Sequence, residues 1–529
     1  MKFDAHLRCR MNVCPSFRRF SFFVSLLWIC SFHVSAQADL QKLDAYYQKA
    51  LKDWNVPGMA IAIVKNDSVI FAKGYGVLDA QKGGAVDANT VFGIASNSKA
   101  YTAAALGILV DEGKLNWDDP VTKYLPYLQL YSPYVTQQLN IKDLLSHRAG
   151  FQTYSGDLLW YNTTYTRKEI LQRAKYLEPT YSFRSGYGYS NLMFIAAGEV
   201  IEAVSGKTWE QFIQERFFGP LGMTRSYTSV NQLKGVTNVA TPHANPVKEG
   251  EKPVPTVLTA WDNWNPAAGI FTSALQHAQW VRLQLNRGTY KGKRIFSEAA
   301  SHQMWTMHNP FPIPPQAEEI NPTTHFSGAG LGWMLNDYEG RKIIAHGGGH
   351  EGMNSRTVLV PEEKLGIVIL TNSMSSIMAP VATYTVDQFL GIKNGRDWSQ
   401  FNLDMAAKFK KQQEATAAKK PKEKAAKAKL LRDLNDYVGT YRSPLYGDAM
   451  IRLQNGKLVL DLVPAPALGG ELSLWKGDIF DLDWKNDFAL LTPTRVRFLP
   501  GKDGAVGEMR LDANNPDFHF SELEFKRVK

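Results

Sequence analysis

The chain has 529 residues, 44% of them hydrophobic and 21% charged, with a formal charge of +10. At roughly 150 residues per domain this is room for two to four domains and a large core, which excludes a small disulfide-stapled fold. The apolar and charged fractions exclude wholesale disorder and a multi-span membrane protein.

Charge is local. It falls to +6 when residues 1–36 are set aside, and residues 408–432 alone carry a net +8, so the rest of the chain sums to −2. A basic linker, not a nucleic-acid-binding surface, accounts for that balance.

In chain order, Arg18 and Arg19 precede an apolar run of 13 residues at 20–32, followed by Val34-Ser35-Ala36. Basic residues, a short apolar stretch and small residues at a cleavage position read as a secretory signal peptide over 1–36, with Met11 an alternative start. The run is too short to span a bilayer, and no later segment reaches the roughly 20 apolar residues a spanning helix needs. The mature protein is expected to be exported, periplasmic or secreted, without a stable membrane span. Cys9, Cys14 and Cys30 all fall in the leader, so disulfides, thiolate nucleophiles and Cys-ligated zinc are excluded together. Bulky Trp28 and Ile29 before Cys30 disfavour a lipoprotein anchor.

Residues 37–393 read as a mixed α/β domain, with strand-like runs at 59–64, 343–346 and 365–371 flanking a long helical middle. Residues 394–434 are an Ala/Lys-rich linker broken by Pro421, most simply a solvated helical spacer, with contact to an anionic surface as the alternative. Residues 435–529 change to short runs at 449–453, 457–462 and 496–499, separated by Asn455-Gly456, Lys476-Gly477 and Asp503-Gly504. Hairpin turns at that spacing predict a small all-β barrel or sandwich. No internal repeat is present.

The first candidate for chemistry is Ser96, in Gly93-Ile94-Ala95-Ser96-Asn97-Ser98-Lys99, just before a helical run at 100–110. A Ser in the first turn of a helix with Lys99 three residues on places both side chains on one face, beside free N–H groups and positive potential. Lysine titrates near 10.4, so a base near neutrality requires lowering it by about 3, or about 4 kcal/mol. Burial with a nearby cation or dipole is expected to supply that. The bland alternative is a capping Ser before an amphipathic helix. Ser473-Leu474-Trp475-Lys476 repeats the spacing, but in a β-patterned stretch where the pair cannot form.

Of the 22 tyrosines only Tyr189 has Asn two positions on, at Asn191, directly before a helical run at 192–204. A phenol there is placed to shuttle a proton, and Asn191 to hold Lys99 or a substrate amide; an ordinary turn tyrosine is the alternative. The third element is Ala345-His346-Gly347-Gly348-Gly349-His350-Glu351-Gly352, read as following a strand at 342–346 and preceding another at 355–360. Its glycines permit close approach of a substrate. Metal binding by His346 and His350 lacks helical geometry and a third ligand. An α/β-hydrolase would place such a loop before a Gly-x-Ser-x-Gly elbow, which this chain lacks.

Ser-x-x-Lys, Tyr-x-Asn and His-x-Gly in this order resemble the serine β-lactamase and penicillin-binding-protein superfamily, specifically its class C-like, CubicO-type hydrolases. Leu144-Leu145-Ser146-His147-Arg148-Ala149-Gly150, Pro266-Ala267-Ala268-Gly269-Ile270-Phe271-Thr272-Ser273 and Pro361-Glu362-Glu363-Lys364-Leu365-Gly366 extend the likeness over about 40–393. Tyr437-Val438-Gly439-Thr440-Tyr441 is similar to a lipocalin-like domain often appended to these enzymes. The resemblance implies an antiparallel sheet flanked by helices, and acyl transfer without a cofactor. It makes Ser96 the acylated nucleophile, Lys99 its base partner and Tyr189 the proton shuttle. Asn191, His346 and Gly348 become substrate contacts, and the Ser96 and Gly349 N–H groups an oxyanion hole. The chain departs from the pattern where His346 replaces the strand lysine and Ser185 stands before Gly186. Losing that cation weakens the case for β-lactams and for substrates ending in a carboxylate. Esters, D-configured amides and short peptides are then the expected small-molecule substrates, with an acylated sensor of little turnover as the alternative.

Overall fold

A computed structural model of the chain describes residues 38–244, 251–393, 396–419, 429–486, 488 and 490–528. The predicted leader with its three cysteines, and residues 394–395 and 420–428 of the predicted linker, lie outside them.

The larger domain opens with α1 (Leu40–Asp53), β1 (Gly58–Lys65), β2 (Ser68–Asp79) and β3 (Gly83–Ala85). A long helical insertion carries α2 (Ser98–Asp111), α3 (Asn191–Ser205) and α4 (Ala274–Leu285). The chain then returns as β4 (Asn309–Pro310), β5 (Ser327–Ala329), β6 (Met334–Tyr338), β7 (Arg341–His350), β8 (Met353–Val360) and β9 (Leu365–Thr371), and ends on α5 (Met378–Leu390). Together these strands form one nine-stranded antiparallel sheet in the order β4-β5-β6-β7-β8-β9-β1-β2-β3. First and last segments of the domain therefore meet at its centre, where Met59 to Lys65 pair with Thr371 to Leu365.

Both central strands are continuous apolar runs because both faces of the sheet are covered. Met59, Ile61 and Ile63 join the core that includes Val381 and Val386 of α5, while Ala60, Ala62 and Val64 join the core shared with the inserted helices. α4 approaches this second face so closely that a Cβ on Gly366 would stand 2.2 Å from Val281 Cγ1. α2 is buried from Ser98 to Leu109 on all sides, as a helix apolar all round must be.

The glycine-rich stretch departs from expectation. It is not a loop after a strand ending at His346: β7 runs on through Gly347, Gly348 and Gly349 to His350 and pairs with β8 up to His350 opposite Met353. Only Glu351-Gly352 turns. Glycine keeps its backbone N–H and C=O for the ladder, and packing against β8 overrides its low strand propensity.

After α6 (Trp398–Lys419), eight consecutive antiparallel strands close into a barrel: β10 (Gly439–Ser443), β11 (Gly447–Gln454), β12 (Lys457–Leu462), β13 (Gly469–Lys476), β14 (Ile479–Trp484), β15 (Thr494–Pro500), β16 (Val506–Ala513) and β17 (Phe525–Arg527). Barrel is thus the outcome of the barrel-or-sandwich choice. Asn455 (φ 49°) and Gly456 (φ 77°) both take the left-handed conformation that a tight hairpin between β11 and β12 requires.

The barrel is built onto the larger domain next to the cleft described below. Glu522 accepts hydrogen bonds from Ser155 Oγ (2.6 Å) and the Gly156 N–H (3.0 Å), and His519 Nε2 donates to Thr153 O (2.7 Å). Phe518 packs on Tyr161, ring centres 4.3 Å apart, and on Trp160; such pairs add about 0.5–1.5 kcal/mol each beyond buried area.

Candidate active site

Ser96 lies in a single 3₁₀ turn, Ala95–Asn97, just ahead of α2. Ala95 before it holds φ at 46°, a left-handed conformation that costs a residue with a Cβ of order 1–3 kcal/mol and marks a site fixed by its surroundings. Those surroundings are β7 and β8. Ser355 Oγ donates to Ile94 O (2.6 Å) and accepts from Asn97 Nδ2 (2.8 Å), clipping the turn to the sheet. A Cβ on Gly348 would meet Ile94 O at 2.2 Å and Ser96 N at 3.0 Å, so only glycine lets the strand pass behind the serine.

Lys99, one turn along, is fully buried. Its Nζ stands 3.1 Å from Ser96 Oγ, 2.6 Å from Asn191 Oδ1 and 3.0 Å from Ala267 O. An ammonium would donate to all three; a neutral amine keeps two donors for Asn191 and Ala267 and turns its lone pair to Ser96. Burial drives Lys99 down to about 7, while the carboxylate of Asp157 pulls the other way. Of the burial and the nearby cation or dipole expected to lower it, burial is the cause. The stretch around Pro266, singled out only by resemblance, earns its place through Ala267 O.

Tyr189 brings its hydroxyl to Ser96, and burial holds that phenol well above its usual value. It is therefore a neutral proton carrier at ordinary pH, and Lys99 the group able to accept the serine proton. Its ring stacks on His147 at 4.4 Å. His147 Nδ1 accepts from the Ser190 N–H (3.1 Å), and Asn309 Nδ2 ties Ser146 O and His147 O to Gly186 O. The Leu144 to Gly150 stretch is thus the wall that orients Tyr189.

Asn191, first residue of α3, spends its amide inside the protein: Oδ1 on Lys99, and Nδ2 on Asp157 Oδ2 at 2.6 Å. The expected substrate contact is reduced to its second N–H. Asp157 was not anticipated. It is 3% exposed, and burial raises it to about 7. It fixes which end of the Asn191 amide faces Lys99. The only signal in the sequence was a carboxylate ahead of the apolar Leu158-Leu159-Trp160.

His346 projects from β7 into the same space with Nδ1 on Gly347 O (2.5 Å) and Nε2 buried without a partner among the described residues. Burial lowers it to about 3, so it is neutral throughout the working range. With the proton on Nδ1, Nε2 is an acceptor. Ser96, Asp157, Tyr189, Asn191, His346 and Gly349 line one cleft of about 390 Å³ whose outer wall is Leu490, Asp517 and Phe518 of the barrel. The structure therefore brings all seven candidate residues together, Lys99 beneath Ser96 and Gly348 behind it. Among the described residues no group of His, Cys, Asp and Glu could hold a metal ion, and no helix is long and apolar enough to cross a membrane.

A family model for β-lactamases matches residues 43–390. The chain belongs to the β-lactamase family. It is accordingly a β-lactamase-family serine hydrolase, carrying at 421–527 a match to a domain of unknown function (DUF3471), which here forms the barrel. Unguisins hydrolase ungD of Aspergillus violaceofuscus is 27% identical over 399 residues, 70% of this chain and 69% of that one. Protein flp of Staphylococcus aureus (strain NCTC 8325 / PS 47) is 27% identical over 361 residues, 67% of each. Two solved structures share the β-lactamase-family fold. One is an octameric penicillin-binding protein homologue from Pyrococcus abyssi (TM-score 0.60, 20% identity, 92% of this chain and 100% of that one). The other is a class C β-lactamase from Rhodobacter sphaeroides (TM-score 0.52, 18% identity, 66% and 98%).

The relay Lys99–Asn191–Asp157 yields an expected result. Asp157→Asn keeps an acceptor for Asn191 but removes the charge that raises Lys99, so the acid limb of the kcat/KM pH profile moves to lower pH. Asp157→Leu leaves the Asn191 amide free to turn and lowers kcat by about 10–100-fold, the worth of a hydrogen bond to a charged group. Unmoved limbs and rates in both variants would exclude the relay.

Proposed function

We propose that this protein is an exported serine hydrolase that forms an acyl-enzyme on Ser96 and acts on small esters and on amides or short D-configured peptides with a free amine. The observation that carries the reading is Lys99 Nζ, 3.1 Å from Ser96 Oγ and brought to about 7 by burial, a base matched to neutral pH. Lys99 takes the Ser96 proton as Oγ attacks the acyl carbon, and the Ser96 and Gly349 N–H groups receive the oxyanion. Tyr189 passes a proton to the leaving group. Water then attacks the ester, its proton passing through Tyr189 to Lys99 and on to Ser96 Oγ as the bond to the acyl carbon breaks and the acid departs.

Charge in the cleft supports the choice of substrate. No lysine or arginine lines it among the described residues, whereas Asp157 and Asp517 do, and His346 offers an acceptor rather than a cation. A substrate ammonium finds partners there; a carboxylate does not. Export is supported by the basic, apolar and small-residue order of the leader.

The reading is tested with p-nitrophenyl esters, D-aminoacyl nitroanilides and nitrocefin. Asp517→Asn is expected to lower kcat/KM for the nitroanilides by about tenfold and to leave p-nitrophenyl acetate unchanged. Nitrocefin turnover far above the other two overturns the substrate class, and a burst of labelling without steady release favours a sensor. N-terminal sequencing of the secreted or periplasmic fraction checks cleavage after Ala36.

A further inference from the structure

On the face of the sheet turned away from Ser96, a second cavity of about 160 Å³ lies between β6, β8 and α5, lined by Asn321, Thr324, Asn336, Tyr338, Arg356 and Thr383 among others. Arg356 is the middle residue of three on β8. Its neighbours point the other way, Ser355 to Ile94 O and Thr357 to His277, so strand alternation places Arg356 with Val358 on the α5 side. Opposite it on β7 is Gly347, which has no side chain to cover it.

The Arg356 side chain bonds to no described residue, and its Nε is buried without a partner among them. Three of the polar groups around it donate elsewhere. Thr324 Oγ1 and Asn336 Nδ2 donate to Asp337 O (2.8 and 3.0 Å), and Thr383 Oγ1 donates to Ala379 O (3.1 Å). Asp387, the carboxylate beside this wall, is held by Tyr338 OH and Trp398 Nε1, both at 2.6 Å. A guanidinium cannot shed its proton to escape burial, and Arg356, half-buried with its Nε shut off from solvent, turns its remaining donors to the cavity. Its fork matches two oxygens of one acid group.

We infer that this cavity is a binding site for a small oxyanion, a carboxylate or phosphate group gripped by both prongs of Arg356. Burial as the sole influence on Arg356, which lowers it from its usual value, fits a cation that lacks its counter-charge.

The full chain is titrated with inorganic phosphate and with acetate at constant ionic strength against chloride, following thermal unfolding and binding heat. A saturable rise over chloride is expected, with the tighter of the two anions naming the acid group. Ser96→Ala is expected to respond like the parent, which separates this site from the cleft. Arg356→Met should lose at least tenfold in affinity and melt higher than the parent in chloride alone. If that variant does not fold, Arg356→Lys decides, because it keeps the charge but not the fork: weaker binding supports the site. No saturable response in the parent, or an equal one in Arg356→Met or Arg356→Lys, overturns it. Since the Arg356 side chain is not among the residues that line the cleft, failure here leaves the proposed hydrolase reading standing.

Discussion

Ser96→Ala is expected to abolish covalent labelling by a fluorophosphonate and all ester turnover, with the fold unchanged by circular dichroism and thermal melting. Ser96 alone among the described serines has an amine of lowered pKa at hydrogen-bond distance, 3.1 Å from Oγ. Alanine removes the oxygen and little else, since the turn is held by Ser355 and Asn97 rather than by the Ser96 side chain. Ser473→Ala is the control. Its spacing to Lys476 matches, but both lie on β13 of the barrel, and labelling should not change. Label retained in Ser96→Ala would refute the acyl-enzyme.

Lys99→Met and Tyr189→Phe should each cut turnover by about 10²–10⁴-fold, the worth of a general base or acid, and the double variant should lose far less than the product. Both groups converge on one oxygen, so removing the second from a broken relay costs little. Lys99→Met carries a second signature. A lysine at about 7 in the fold and near 10.4 when unfolded binds fewer protons folded than unfolded between those values, so stability rises with pH across that window. The penalty is fully present below about 7 and fades as pH climbs toward 10. Methionine removes it, so the variant should melt higher than the parent at pH 6–7, with the gain shrinking in alkali. Multiplicative rate losses, or a variant less stable at pH 6–7, would argue against a buried amine acting with the phenol.

Sequence made the polar constellation readable because its members are tied to local signals: a helix start at Ser96, a helix start at Asn191, a glycine run beside His346. The central strands were readable because burial on both faces writes an unbroken apolar run. What escaped depends on distant partners. Asp157 gains its role only when Asn191, 34 residues on, folds against it. Gly347 to His350 looked like loop because strand propensity is a property of neighbours that the string does not show. The lowering of Lys99 was expected from burial with a nearby cation or dipole, and a helix buried on every side supplies the first by excluding water.

The cleft wall formed by Asp517 and Phe518 has a bearing on the order in which the molecule is made. Ser96 and Lys99 leave the ribosome about 420 residues before that wall, an interval of order 20–80 s at ordinary rates of synthesis. Even then the wall waits for β17, which closes the barrel by pairing with both β10 and β16. Ser96 and Lys99 are thus early products and the barrel's wall of the cleft a late one. A chain released before β17 is made carries Ser96 without the closed barrel wall beside it.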